Sequence, residues 1–197
     1  MATTEKLALI DNSGVSTTDL LINTGTPTFE GKAEPQTSVE LFDNDDSGGS
    51  TSLGTTTADA NGDWSFTVAA GSELTEGAHS VKVNATPTGG SSPEESPALN
   101  FIVDTVLPSA SLQLDPSLAD GALLDSLSQL ASIAQFQAEA GSSVVISITD
   151  NTKTITKTIA SASGSQELIA LTAEEVNALA DGRIDITVIA TDAAGNQ

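Results

Sequence analysis

Apolar and polar residues take turns over short stretches of this chain. Trp64, Phe66 and Val68 alternate with Ser65 and Thr67, and Val81, Val83 and Ala85 alternate with Lys82 and Asn84. A period of two puts one face of an extended segment into a core and leaves the other to solvent. Turn residues interrupt these segments every 8 to 12 residues or so, which is the spacing of an antiparallel β-sandwich. In the first half the pattern predicts strands from Pro27 to Ala33, Ser38 to Phe42, Ser52 to Ala58, Trp64 to Val68, His79 to Ala85 and Ala98 to Val103. Asn61-Gly62 predicts a two-residue type I′ hairpin turn, in which both central residues take positive φ.

The second half repeats the style. Its predicted strands run from Ala110 to Leu114, Ile133 to Ala138, Val144 to Thr149, Thr154 to Ile159, Glu167 to Ala170 and Ile184 to Ala190. Two stretches depart from strand patterning. Leu118 to Leu130 spaces its leucines as a helical turn or two would. Thr172-Ala173-Glu174-Glu175 reads as a capping box opening a short helix that ends at Asp181-Gly182. Leu9-Ile10-Asp11 closes one apolar run and Ile102-Val103-Asp104 closes another, 93 residues later. Residues 1–10 then read as the closing strand of a preceding unit or the first strand of unit one. Residues 11–103 and 104–197 are the two units, the second stopping after its last turn with no final strand. A β-unit repeated with carboxylates at its boundaries points to a rod of small sandwiches whose joints bind a hard cation such as Ca²⁺.

Charge narrows the partners. The formal net charge is −21, from 27 acidic against 6 basic side chains. Phosphate contacts need Lys and Arg to displace counterions, so nucleic acid is excluded, and anionic membrane surfaces are disfavoured for the same reason. No apolar run is long enough to insert in a membrane. The chain has no cysteine, which removes disulfides, thiol chemistry and zinc–thiolate sites. The N-terminus carries no basic and apolar leader, so an export signal is expected outside this piece. His79 is the only histidine and is read as a strand-edge residue. No nucleophile motif accompanies it, and the chain is read as not an enzyme. Trp64 is expected to be a core aromatic rather than a ligand platform.

The wording of the loops is more specific than the pattern. Gly31-Lys32-Ala33-Glu34-Pro35, Ser38 to Asp43 and Leu53 to Thr67 resemble the bacterial Ig-like repeats of giant repeats-in-toxin adhesins and biofilm proteins. Asp104-Thr105, Ala138-Glu139-Ala140-Gly141-Ser142 and Ala190-Thr191-Asp192-Ala193-Ala194-Gly195-Asn196 look like the same family in the second unit. The first unit has Thr86-Pro87-Thr88-Gly89-Gly90 where that family writes Asp-Ala-Ala-Gly-Asn, so its upper site is expected to be altered. The fold class is then all-β: two tandem immunoglobulin-like β-sandwiches, with short helical insertions in the second.

In such a sandwich alternate loops gather at one end. That logic groups Asp104 with Glu139 and Asp192 at the joint, faced by Asp43, Asp45, Asp46, Glu73 and Glu76 from the first unit. It places Asp11 and Glu34 together above unit one, near Asp59, Asn61 and Asp63. Asp11, Glu34, Asp104, Glu139 and Asp192 are therefore the candidate Ca²⁺ ligands. Asp59 to Asp63 superficially resembles the start of an EF-hand loop, but its twelfth position is Ala70 instead of Glu, and a hairpin turn is the better reading. The resemblance implies a Ca²⁺-stiffened stalk module of a secreted adhesin anchored at the bacterial cell surface, working in adhesion and biofilm. Its partners would be neighbouring repeats of the same longer chain, with head-to-tail strand addition by the Glu5 to Ile10 segment as a further mode. The alternative is that one sandwich is itself a glycan- or peptide-binding module.

Overall fold

The structure, a computed structural model, describes residues 5–11, 16, 18–44, 49–89, 92–118, 131–150, 152–180 and 182–197. The chain divides into two compact units, residues 1–106 and residues 107–197. Both are built mainly of antiparallel strands whose alternate residues face a core, as the period of two requires.

In the first unit one sheet carries β1 (Glu5–Leu9), β3 (Thr28–Lys32) and β6 (Asp63–Thr67) in the order β1-β3-β6. The other carries β2 (Leu21–Ile22), β4 (Ser38–Asn44), β5 (Ser50–Thr57), β7 (Gly77–Thr86) and β9 (Leu99–Val103) in the order β2-β9-β7-β4-β5, with the short β8 (Glu94–Glu95) also on β7. β1 pairs with β3, so Glu5 to Leu9 is a strand of this unit. After β1 the chain crosses to the other sheet, where β2 runs parallel to β9. The two sheets close over Phe29, Val39, Leu41, Val81, Val83 and Val103, all fully buried. Phe29 meets Phe101 edge to face at 5.7 Å, and Trp64 is buried at 5% exposure, the core aromatic its alternation predicts.

In the second unit β10 (Ala110–Leu114), β11 (Ala134–Ala138) and β14 (Glu167–Ile169) form one sheet in the order β10-β11-β14. β12 (Ser143–Thr149), β13 (Thr154–Ile159) and β15 (Asp185–Thr191) form the other, in the order β13-β12-β15. Its core holds Phe136, Val144, Ile146, Ile148 and Ile169. A helix, α1 (Ala173–Ala178), follows β14. Thr172 accepts from the Glu175 amide and Glu175 accepts from the Thr172 amide, closing the capping box. The helix stops at Ala178, three residues short of the expected end, with Leu179 as its last cap. Pro116–Leu118 is a 3-10 turn, and the rest of the leucine-spaced stretch expected to be helical, 119–130, lies outside the described residues.

The strand register shows where the repeat lies. Ser38 faces Thr86 across β4 and β7, and Ser143 faces Thr191 across β12 and β15, a shift of 105 residues on both strands (143 − 38 and 191 − 86). The loop before each follows suit. Thr37 donates to the Glu34 carbonyl and Ala58 to the Thr37 carbonyl, as Ser142 donates to Glu139 and Ala162 to Ser142. The 93-residue spacing from Asp11 to Asp104 is therefore not the repeat length. Asp11 follows the first strand of its unit and Asp104 follows β9, two different strands that both end in an apolar pair and an aspartate.

Candidate metal site

Strand direction sorts the acids between the two ends of each unit. In the first unit β3 ends and β4 begins at what we call the upper end, with the 33–37 and 58–62 loops. β1 and β9 both finish at the lower end, with the 68–76 loop. Glu34, Asp59 and Asp63 are at the upper end. Asp11 is at the lower one, where its Oδ2 accepts the Thr28 amide at 2.5 Å at the start of β3. Asp11 and Glu34, grouped by the sequence reading, thus lie at opposite ends of the sandwich. The grouping fails because β1 is the unit's own first strand, which carries Asp11 the full length of β3 away from Glu34.

Of the upper-end acids of this unit, Asp59 is spent on the backbone. Asp59 Oδ1 accepts the amides of Asn61 at 2.7 Å and Asp63 at 2.9 Å. Those amides, Asp63's first, hold its carboxyl below the ordinary range, with the Gly62 amide and Lys32 assisting. The hairpin is not type I′. Gly62 is at φ 83° and donates to the Asp59 carbonyl, while Asn61 keeps negative φ, so a type I turn is followed by one left-handed glycine. The carboxylate of Asp59 selects this form by taking the two amides it presents. Lys32 and Asp63 pair at 2.7 Å, both exposed.

At the lower end the structure brings Glu76 together with Asp104 and Thr105, 28 and 29 residues further along the sequence. Glu76 Oε2 accepts the Thr105 amide at 3.0 Å and its hydroxyl at 2.9 Å, and the Glu76 carboxyl also meets the side chain of Asp104. The Thr105 amide is the main cause of a lowered Glu76 pKa. Asp104 in turn accepts the Val106 amide at 3.2 Å. Two carboxylates in contact repel unless a cation or a proton sits with them, which is donor chemistry that suits a hard divalent ion. Asp45 and Asp46 lie outside the described residues. Asp43, also placed at this end by the sequence reading, is held by His79: Oδ2 to Nδ1 is 2.7 Å.

His79 is not the strand-edge residue expected. It faces Phe101 across β7 and β9, turned into the core with its side chain 7% exposed, and stacks on that ring at 5.6 Å. Its Nε2 lies 2.7 Å from the Thr75 carbonyl oxygen, so both ring nitrogens are engaged.

In the second unit Glu139 and Asp192 share the upper end, with Ser109 at the start of the first strand. Glu139 donates its amide to the Ser109 carbonyl and accepts Ser109's amide at 3.4 Å. Asp192 is 8% exposed and accepts the Asn196 amide and side-chain amide, each at 2.9 Å. The turn Asp192 to Asn196, with Gly195 at φ 91°, repeats the hydrogen bonds of Asp59 to Asp63. Ser142, in the Glu139 loop, is 2% exposed and its hydroxyl has no partner. Thr37, 105 residues earlier, is likewise buried with an unpartnered hydroxyl. Pro87 stands 105 residues before Asp192, so the upper end of the first unit lacks that carboxylate. Among the described residues no three acidic or histidine side chains converge closely enough to hold a metal by themselves.

No described helix is long and apolar enough to cross a membrane. The model of a bacterial Ig-like domain family matches residues 1–105. A search of curated proteins finds no match. Among solved structures, the tetra-tandem repeat in the extending region of a large adhesion protein is 20% identical, with 99% of this chain and 47% of that one covered and a TM-score of 0.38. A Ca²⁺-stabilized adhesin that helps an Antarctic bacterium reach out and bind ice is 22% identical, with 100% and 47% covered and a TM-score of 0.48. A 1.5-MDa bacterial ice-binding adhesin, solved for its retention at the host cell surface, is 19% identical, with 98% and 62% covered and a TM-score of 0.41. The chain spans about half the length of the first two and 62% of the third. With the strands of its first unit divided between two sheets and a family match over more than half its length, the chain belongs to the bacterial Ig-like domain family.

Proposed function

We propose that this chain is a non-catalytic stalk module of a secreted, surface-anchored bacterial adhesin, built from two tandem Ig-like sandwiches and stiffened by Ca²⁺. One observation carries the reading: the same strand register returns after 105 residues, so the chain is assembled as a repeat, the economy of an extended array. Asp104 with Glu76 in the first unit, and Glu139 with Asp192 in the second, are the residues assigned to the ion, with neighbouring repeats as partners. Asp11 and Glu34 are retained only as separate donors at opposite ends. Bound Ca²⁺ would neutralise carboxylates that otherwise repel in a chain of net charge −21.

Thermal unfolding in Ca²⁺, in chelator and in Mg²⁺ tests this. Extracellular modules bind with Kd of about 10⁻⁴ to 10⁻³ M, so one site at about 10 mM Ca²⁺ adds roughly 1.4 to 2.7 kcal/mol. The midpoint should rise with Ca²⁺ and not with Mg²⁺. An unchanged midpoint would remove the metal from the proposal, and scattering profiles identical in Ca²⁺ and chelator would remove the stiffening.

A further inference from the structure

Asn61-Gly62 is the one Asn-Gly pair in the chain, and every other asparagine is followed by a residue with a side chain. The pair is chemically labile for a steric reason. Glycine has no Cβ to shield its amide nitrogen, so that nitrogen can reach the Cγ of the asparagine before it. Hydroxide takes the proton from the Gly62 amide, the nitrogen's electron pair bonds to Asn61 Cγ, and the side-chain nitrogen leaves as ammonia with a proton from water. Water then opens the five-membered imide at either carbonyl. The product is aspartate, or isoaspartate with the main chain routed through the side-chain carbon. The chain gains a water and loses an ammonia, and no other reactant is needed.

The fold presents this pair to water and at the same time opposes the reaction. Asn61 is exposed, whereas Gly62 is buried. The Gly62 amide, the attacking group, donates to the Asp59 carbonyl at 3.1 Å, and the Gly62 carbonyl accepts the Ala33 amide at 2.9 Å. Gly62 lies so close to the Ala33 carbonyl that a Cβ would come within 2.3 Å of its oxygen. Closing the imide ring turns the peptide between Asn61 and Gly62, which breaks the hold on the Gly62 amide. Asp59 adds charge to geometry. Its carboxylate holds the Asn61 and Asp63 amides at 2.7 and 2.9 Å, on either side of the nitrogen that would become an anion. The second unit repeats the turn with Ala194 in place of Asn61, and so has no side-chain amide to lose there.

We infer that Asn61 is a latent deamidation site guarded by the Asp59 turn. It converts to aspartate or isoaspartate when the 58–62 loop opens, so the first unit keeps an irreversible record of that opening and the second does not. Isoaspartate lengthens the main chain between the two amides that Asp59 holds, so the original turn does not re-form around it. The reaction needs no metal.

Mass spectrometry that separates asparagine, aspartate and isoaspartate at position 61 follows the whole chain in mildly alkaline buffer, with and without unfolding urea. In urea Asn61 should be the fastest-reacting asparagine. In the folded chain its conversion should be slower by about tenfold or more, and in sub-denaturing urea it should rise in step with hydrogen exchange at the Gly62 amide. Asp59→Ala removes the carboxylate that holds the turn and should speed conversion in the folded chain by about threefold or more. If that variant loses the fold of the first unit, the urea series on the parent chain decides alone. Conversion as fast folded as unfolded, conversion that does not follow Gly62 exchange, or a folded Asp59→Ala chain that reacts no faster than the parent would each overturn the inference.

Discussion

Gln36 and Gly141 occupy the same turn position in the two units. Gln36 sits at φ 63° and Gly141 at φ 92°, and in each case a hydrogen bond three residues long closes the turn around them. Left-handed backbone costs a residue with a Cβ about 1 kcal/mol, so the first unit holds strain that the second avoids. Gln36→Gly should stabilise the first unit by about 0.5 to 1 kcal/mol in denaturant unfolding. Gly141→Ala should cost about 1 kcal/mol through the backbone alone, since a Cβ there meets nothing within 4 Å. Gly62→Ala should cost more, because its Cβ would come within 2.3 Å of the Ala33 carbonyl oxygen. Equal effects of the two glycine replacements would contradict this account.

Asp150 shows the same scale acting through charge. Its carboxylate accepts the Ala180 amide at 2.6 Å, the Lys153 amide at 2.6 Å and the Thr152 amide and hydroxyl, tying the β12–β13 turn to the segment after α1. These donors, the Ala180 amide foremost, hold its pKa well below the ordinary 3.8. A depressed folded-state pKa contributes stability that is complete above the unfolded value and is lost as pH falls through it toward the folded one. Asp150→Asn should lower the thermal midpoint of the second unit at pH 7. Its deficit against the parent should shrink from pH 5 to pH 3, and a deficit independent of pH would refute the assignment.

At the scale of elements, the repeat substitutes one kind of contact for another. His79 and Asp43 join β7 to β4 in the first unit, and the positions 105 residues on are Ile184 and the fully buried Ile148. The fold therefore accepts either a polar or an apolar pair at this place. Asp43→Ala leaves the imidazole without its carboxylate in a half-closed site and should cost about 2 kcal/mol. The double change Asp43→Ile with His79→Ile should recover most of that loss, as apolar replacement of paired buried groups does. A double variant no better than the single one would mean that the pair is required by the first unit in particular. Outside the core, Lys157 makes a two-pronged contact with Glu175 at 2.8 and 3.0 Å, which fastens α1 to β13 and keeps the Glu175 pKa low.

For the whole molecule, the assigned Ca²⁺ ligands separate by unit. Asp104→Asn should abolish any Ca²⁺-dependent shift that the first unit shows, and Asp192→Asn any that the second unit shows. Neither should unfold a core, because both residues lie past strand ends. Calorimetry resolving the two transitions reads this directly, and a Ca²⁺ shift untouched by both changes would exclude these residues as ligands.

Much of this was legible in the chain. Alternation placed the strands, and Thr172 and Glu175 announced the capping box, because each of these depends on neighbours within a few residues. What joins distant positions was decided only by the fold. Asp11 and Asp104 end similar phrases but follow the first and last strands of one sandwich, so the apparent 93-residue repeat gave way to a register of 105. Asp11 parted from Glu34, Glu76 met Asp104, and His79 turned inward to Asp43. Which strands pair, and which end of a strand a carboxylate reaches, follow from long-range packing that no local pattern records.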